Sequence, residues 1–113
     1  MQRDLSYLHD MLHEARIALN FTAGKSFEEF EGDTQCQYAV IRAIEIIGEA
    51  AGRVSDEFRA AHSELPWRQI IGMRNRLIHG YDDIVISIVW EVIEKRLPEL
   101  VEGLEPMVPS EEA

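Results

Sequence analysis

"AVIRAIEIIGEAAG", residues 39–52, is the stretch on which the fold turns. It is apolar on most sides and small at Gly48, Ala50, Ala51 and Gly52. A helix that is hydrophobic nearly all round belongs inside a protein, and small residues let its neighbours approach closely. Asp33 or Thr34 can cap its start, so a buried helix is expected from there to about Val54.

The flanking segments also read as helices. From Asp4 to about Ala23, Leu5, Leu8, Leu12, Ala15, Ile17 and Leu19 fall largely along one stripe, and Gly24 follows as a C-cap. "KSFEEFEGD" is a connector pinned to the core by Phe27 and Phe30. Ser55 starts a short third helix ending in "HSELP". Pro66 suits the first turn of a fourth helix that runs to His79 and stops at Gly80. Asp82 or Asp83 then caps a fifth helix. The β-branched run Ile84 to Val89 has strand character, but Val85, Ile88, Val89, Val92 and Ile93 fit helical spacing, and no second strand offers a partner. Pro98 is expected to kink or break this last helix. The reading is all-α: a bundle of four to five helices in one domain over residues 1–106, with a flexible tail over 107–113.

The chain has 113 residues, enough for one hydrophobic core. Nothing approaches the length of apolar run that spans a membrane. The charged, amphipathic start "MQRDLSYLHD" is unlike a signal peptide, and a cytoplasmic location is expected. Cys36 is the single cysteine, which excludes an intrachain disulfide and a cysteine-rich zinc site. A net charge of −10 argues against a general nucleic-acid coat protein. The charge is uneven, however. From Phe58 to Tyr81, four arginines against Glu64 give +3, so the remainder carries −13. A basic island in an acidic molecule suits a small, localised anion site.

That island ends in "MRNRLIHGY", residues 73–81, with no Asp or Glu between Gln69 and Tyr81. Histidine can donate or accept a proton near neutral pH, and arginine matches two phosphate oxygens with its planar fork. On an ideal helix Arg74 and His79 are about 140° apart around the axis. Either the helix distorts before Gly80 or the site combines two chains; a reaction that needs both a proton donor and a proton acceptor favours the second.

Arg74, His79 and Tyr81 match the R-x4-H-x-Y motif of HEPN-domain ribonucleases. The chain further resembles the HepT-like toxins of nucleotidyltransferase-linked (type VII) toxin–antitoxin pairs. "AIEIIGEAAGRVS" is similar to that family's second helix, and "LPWRQIIGMRNRLIHGYDDI" with "IVWEVIEKRLPELVEGL" to its fourth and fifth. The resemblance implies an antiparallel HEPN-like bundle that forms a homodimer, with room for further assembly, and two motifs facing each other. It implies an endoribonuclease that uses neither a metal ion nor another cofactor. His79 would move protons, Arg74 would bind the scissile phosphate, and Asn75 would orient one of them. Tyr81 would receive AMP from a minimal nucleotidyltransferase antitoxin, which silences the toxin. The alternative is a non-catalytic helical partner of a nucleotidyltransferase.

Other residues leave choices open. Arg76 is either a second RNA contact or an exposed helix residue. Glu45 and Glu49 are either surface carboxylates, or Glu49 holds an active-site arginine in place. His9 and His13 have a spacing that can bind a metal, but no third ligand is indicated and the reading is of solvated histidines. Trp67 and Trp90 read as core or dimer anchors, and Cys36 as a small apolar residue.

Overall fold

The computed structural model describes residues 2–80 and 83–109, with side chains from 3–77 and 84–109. In chain order the elements are α1 (Gln2–Thr22), α2 (Phe27–Glu31), α3 (Thr34–Arg53), α4 (Asp56–Ala61), α5 (Trp67–Leu77), β1 (Ile78–Gly80), β2 (Asp83–Ile84) and α6 (Ile86–Glu91). A π-helical turn (Val92–Arg96), α7 (Leu97–Leu104) and a 3-10 turn (Glu105–Met107) complete the elements among the described residues.

Local chemistry sets most of these boundaries. Gly24, at φ 77°, turns the chain after α1, where few other residues fit without strain. Ser26 and Glu29 form a reciprocal capping box that makes α2 a true helix turn within the expected connector. Asp33 accepts from the Cys36 amide and Ser55 from the Phe58 amide, capping α3 and α4.

The centre is α3, with Val40, Ile44, Ile47 and Ala51 wholly buried. α1 runs antiparallel to it. Asp4, at the start of α1, bonds to Ser55 beyond the end of α3, while the Cys36 thiol near the start of α3 reaches the Phe21 carbonyl at 3.8 Å. Leu8, Met11, Ala15 and Ala18 make the buried stripe of α1. Leu97 and Leu104 of α7 close the core, and wholly buried Phe30 packs on Trp90 with ring centroids 5.2 Å apart. Phe27 meets the same indole edge-on at 6.1 Å. Both phenylalanines thus pin the connector as expected. Met107 and Val108 also pack, partly buried, against the core.

The fold is all-α, as the sequence indicates, with three local corrections. First, α5 ends at Leu77, not His79. The chain turns extended, and Ile78 pairs with Ile84 and Gly80 with Asp83 in an antiparallel bridge. The Leu77 carbonyl accepts the Val85 amide at 2.8 Å. β-Branched Ile78 and Ile84 favour extended backbone, and the pairing satisfies carbonyls that a helix end leaves orphaned. Second, the final helix begins at Ile86 after Val85, with no side-chain cap; Asp83 lies in β2, and Asp82 is outside the described residues. Third, of the kink or break expected at Pro98, the break does not occur. The turn before it widens, so that the Leu97 amide donates to Val92 and the helix runs on through Pro98 to Leu104. A π turn of this kind absorbs a proline that a regular ladder cannot accommodate. Among the described residues, no helix is long and apolar enough to cross a membrane.

Candidate active site

α5 is anchored by one apolar face. Trp67, Ile70, Met73 and Leu77 are buried, and the Trp67 indole N–H donates to the His62 carbonyl at 2.9 Å. That anchoring leaves Arg68, Arg74, Asn75 and Arg76 exposed, on a helix without a single carboxylate. α3 and α5 pass closely at Gly48, where a Cβ would stand 3.2 Å from the Ile71 carbonyl oxygen. A side chain at this position would press on the α5 backbone, which would have to give by a few tenths of an ångström.

One turn from the crossing, the two helices exchange their principal polar contact. Arg74 Nε donates to Glu45 Oε2 at 2.9 Å. Glu45 Oε1 lies 3.7 Å from Arg42 Nη1, so one carboxylate serves two guanidiniums. Arg74 is 49% exposed and Arg42 66%, against 29% for Glu45. With Asn75, Ile71 and Glu49, these residues line an open recess of about 310 Å³. Because Arg74 is held through Nε, the Nη end of its fork makes no hydrogen bond among the described residues and can meet an anion.

The recess gathers Arg74, Asn75 and Glu49, but roles shift within it. The carboxylate that holds Arg74 belongs to Glu45, one turn before the expected Glu49, which instead pairs with Arg53 at 3.1 Å. Arg76 projects elsewhere. It lines a separate cavity of about 410 Å³ with Met73, Arg96 and Leu100, between α5 and α7. Within that region Arg96 Nε is buried without a hydrogen-bond partner among the described residues.

His79 lies in β1, two residues beyond the end of α5, and its side chain is outside the described set; Tyr81 is outside the described residues altogether. The break at Leu77 is the helix distortion named above as one alternative. It removes the 140° separation as an argument for a site built from two chains, since Arg74 and His79 do not share a helix.

The remaining candidates have structural places. The His9 and His13 rings lie parallel with centroids 6.2 Å apart, and no group of three His, Cys, Asp or Glu side chains among the described residues is arranged to hold a metal ion. Trp67 and Trp90 both pack into the core assembly. Cys36 is buried, and desolvation of its thiolate pushes the thiol above its ordinary pKa. Arg42 had no motif to mark it, although its i, i+3 spacing to Glu45 was visible.

A family model described as "Ribonuclease HepT-like" matches residues 11–107. A protein from Caldanaerobacter subterraneus subsp. tengcongensis named "Putative RNase TTE0752" is 39% identical over 111 residues, covering 98% of this chain and 99% of the other. "Probable ribonuclease HepT" from Thermococcus cleftensis is 38% identical over 94 residues, covering 83% and 86%. "Putative RNase MJ1380" from Methanocaldococcus jannaschii is 35% identical over 105 residues, covering 92% and 96%. No solved structure matches the chain.

Proposed function

The chain belongs to the HepT-like ribonuclease family, and we propose that it is a metal-independent endoribonuclease, the toxin half of a pair whose antitoxin is a minimal nucleotidyltransferase. The observation that carries the reading is the presentation of Arg74: half exposed, tethered through Nε, and open at Nη on a recess shared with Asn75.

Cleavage proceeds by internal transesterification. The 2′-oxygen of RNA attacks the neighbouring phosphorus, forming a P–O2′ bond while the P–O5′ bond breaks. One proton leaves the 2′-hydroxyl and another reaches the departing 5′-oxygen, giving a 2′,3′-cyclic phosphate and a 5′-hydroxyl. Arg74 binds the non-bridging phosphate oxygens and stabilises the charge that builds on them. His79 transfers protons, for which imidazole suits neutral pH. Asn75 orients one of the two. The protein acts as a cytoplasmic homodimer with the motifs facing across the two-fold axis, so that two copies of His79 supply acid and base. Tyr81 is the residue that the partner modifies with AMP.

The purified chain, incubated with RNA with and without chelator, tests this reading alongside Arg74→Ala and His79→Ala. Wild type is expected to cleave equally in both conditions, and each variant to fold and fail. Undiminished cleavage by either folded variant refutes its assigned role. Intact RNA throughout would make the chain a non-catalytic partner of the nucleotidyltransferase.

A further inference from the structure

The recess contains a second arginine that the motif does not include. Arg42 stands on α3, and Glu45 reaches both it and Arg74, at 3.7 Å and 2.9 Å. Two guanidiniums can offer ten N–H donors; among the described residues this pair makes one hydrogen bond, from Arg74 Nε. The 3.7 Å approach of Arg42 exceeds hydrogen-bond distance, and its side chain is 66% exposed, so its donors face solvent at the mouth of the recess. The other carboxylate there, Glu49, is taken up by Arg53.

We propose that Arg42 is an RNA-binding residue that contacts a phosphate next to the scissile one, with Glu45 as the shared counter-ion that spaces it from Arg74. The inference rests on the reading of this recess as the RNA-phosphate site. The physical reason is the different attachment of the two arginines. Arg74 is fixed by a hydrogen bond, as a group that must meet one phosphate in the transition state should be. Arg42 is loosely tethered from the opposite helix, as a group that follows a flexible backbone should be. A single phosphate contact of this kind strengthens binding in the ground and transition states alike, so it acts on KM rather than kcat.

The test is Arg42→Gln, with Arg16→Gln as the control: Arg16 pairs with Glu105 away from the recess, and its loss changes net charge equally. Binding is measured against salt concentration with single-stranded RNA carrying 2′-O-methyl groups, which cannot cleave. Removing one phosphate contact is expected to reduce the slope of log K against log salt by about 0.7. With cleavable RNA, Arg42→Gln is expected to raise KM about tenfold with kcat within about twofold of wild type, and Arg42→Lys to recover part of the loss. A slope and KM matching those of Arg16→Gln overturn the proposal, as does a fall in kcat at unchanged KM. So does wild type that fails to bind the RNA at low salt. If wild type binds without cleaving and the slope still drops in Arg42→Gln, the contact stands and the ribonuclease reading falls.

Discussion

Arg74 Nε and Glu45 Oε2, on helices that cross at Gly48, are joined by a 2.9 Å hydrogen bond. Both groups are partly open to solvent, and an ion pair so placed contributes only about 0–1 kcal/mol to stability. Its main effect is on position: it fixes the guanidinium at Nε and leaves the Nη groups without a hydrogen-bond partner among the described residues.

Glu45→Ala is therefore expected to leave the melting temperature nearly unchanged while lowering kcat about 10- to 100-fold, the size of effect that misplacing a catalytic group produces. Glu45→Gln, whose amide oxygen can still accept from Nε, should retain more of the activity. Thermal denaturation and single-turnover cleavage on the same preparations measure both effects. A large loss of stability with unaltered kcat in the surviving enzyme would make Glu45 a merely structural residue.

Two copies of His79 acting as acid and base have a measurable consequence in mixed dimers. When wild type and His79→Ala chains are co-refolded in equal amounts, about one quarter of the dimers carry both histidines. Activity per total protein is expected to fall towards that level, rather than to the half expected if each histidine acts independently in its own chain. A protein that cleaves RNA as a monomer would exclude the arrangement. The need for two proton-transfer groups is now its sole chemical support, because α5 ends before His79.

The helical plan was legible because it rests on local signals. Asp33 and Ser55 cap the helices that their positions announced, and the small, apolar run from Ala39 to Gly52 lies at the crossing with α5. What was missed depends on partners distant in sequence or on the geometry of a single turn. Ile84 reads as the start of a helix until Ile78 is brought opposite it. Pro98 reads as a break unless the preceding turn widens. Glu45 and Glu49 were indistinguishable by type; only the crossing at Gly48 brings Glu45 to Arg74.

The junction of α1, α3 and α4 makes folding sensitive to acid. Asp4 accepts the Ser55 amide at 2.9 Å and the Ser55 hydroxyl at 2.7 Å, and the same Ser55 oxygen caps α4. These bonds, the backbone one foremost, hold the Asp4 carboxyl below its ordinary pKa. A lowered folded-state value means that the stabilisation is complete above the unfolded pKa, near about 4, and is lost as pH falls through the folded value. Asp4→Asn should melt several degrees below wild type at neutral pH, and the gap should close on acidification once Asp4 protonates in the folded wild type. A gap independent of pH would show that the carboxylate charge is not what stabilises the junction.

Tyr81 carries the last prediction. It lies two residues beyond His79 and just after Gly80 in the sequence. Asp82 and Asp83 follow it, which a phosphate-binding loop would avoid because they repel the ligand. A site modified by a partner tolerates them, particularly when the incoming nucleotide arrives with its own metal ion. Adenylylation joins the tyrosine oxygen to the α-phosphorus of ATP and releases pyrophosphate. The product places a negative phosphodiester and a purine close in sequence to His79, opposing RNA by charge and by volume. Co-expression with a cognate nucleotidyltransferase should add one or more adenylyl groups to Tyr81, read by peptide mass spectrometry, and abolish cleavage. Tyr81→Phe should still cleave RNA and escape that silencing. An unmodified Tyr81 in a fully inhibited complex would show instead that the partner inhibits by binding alone.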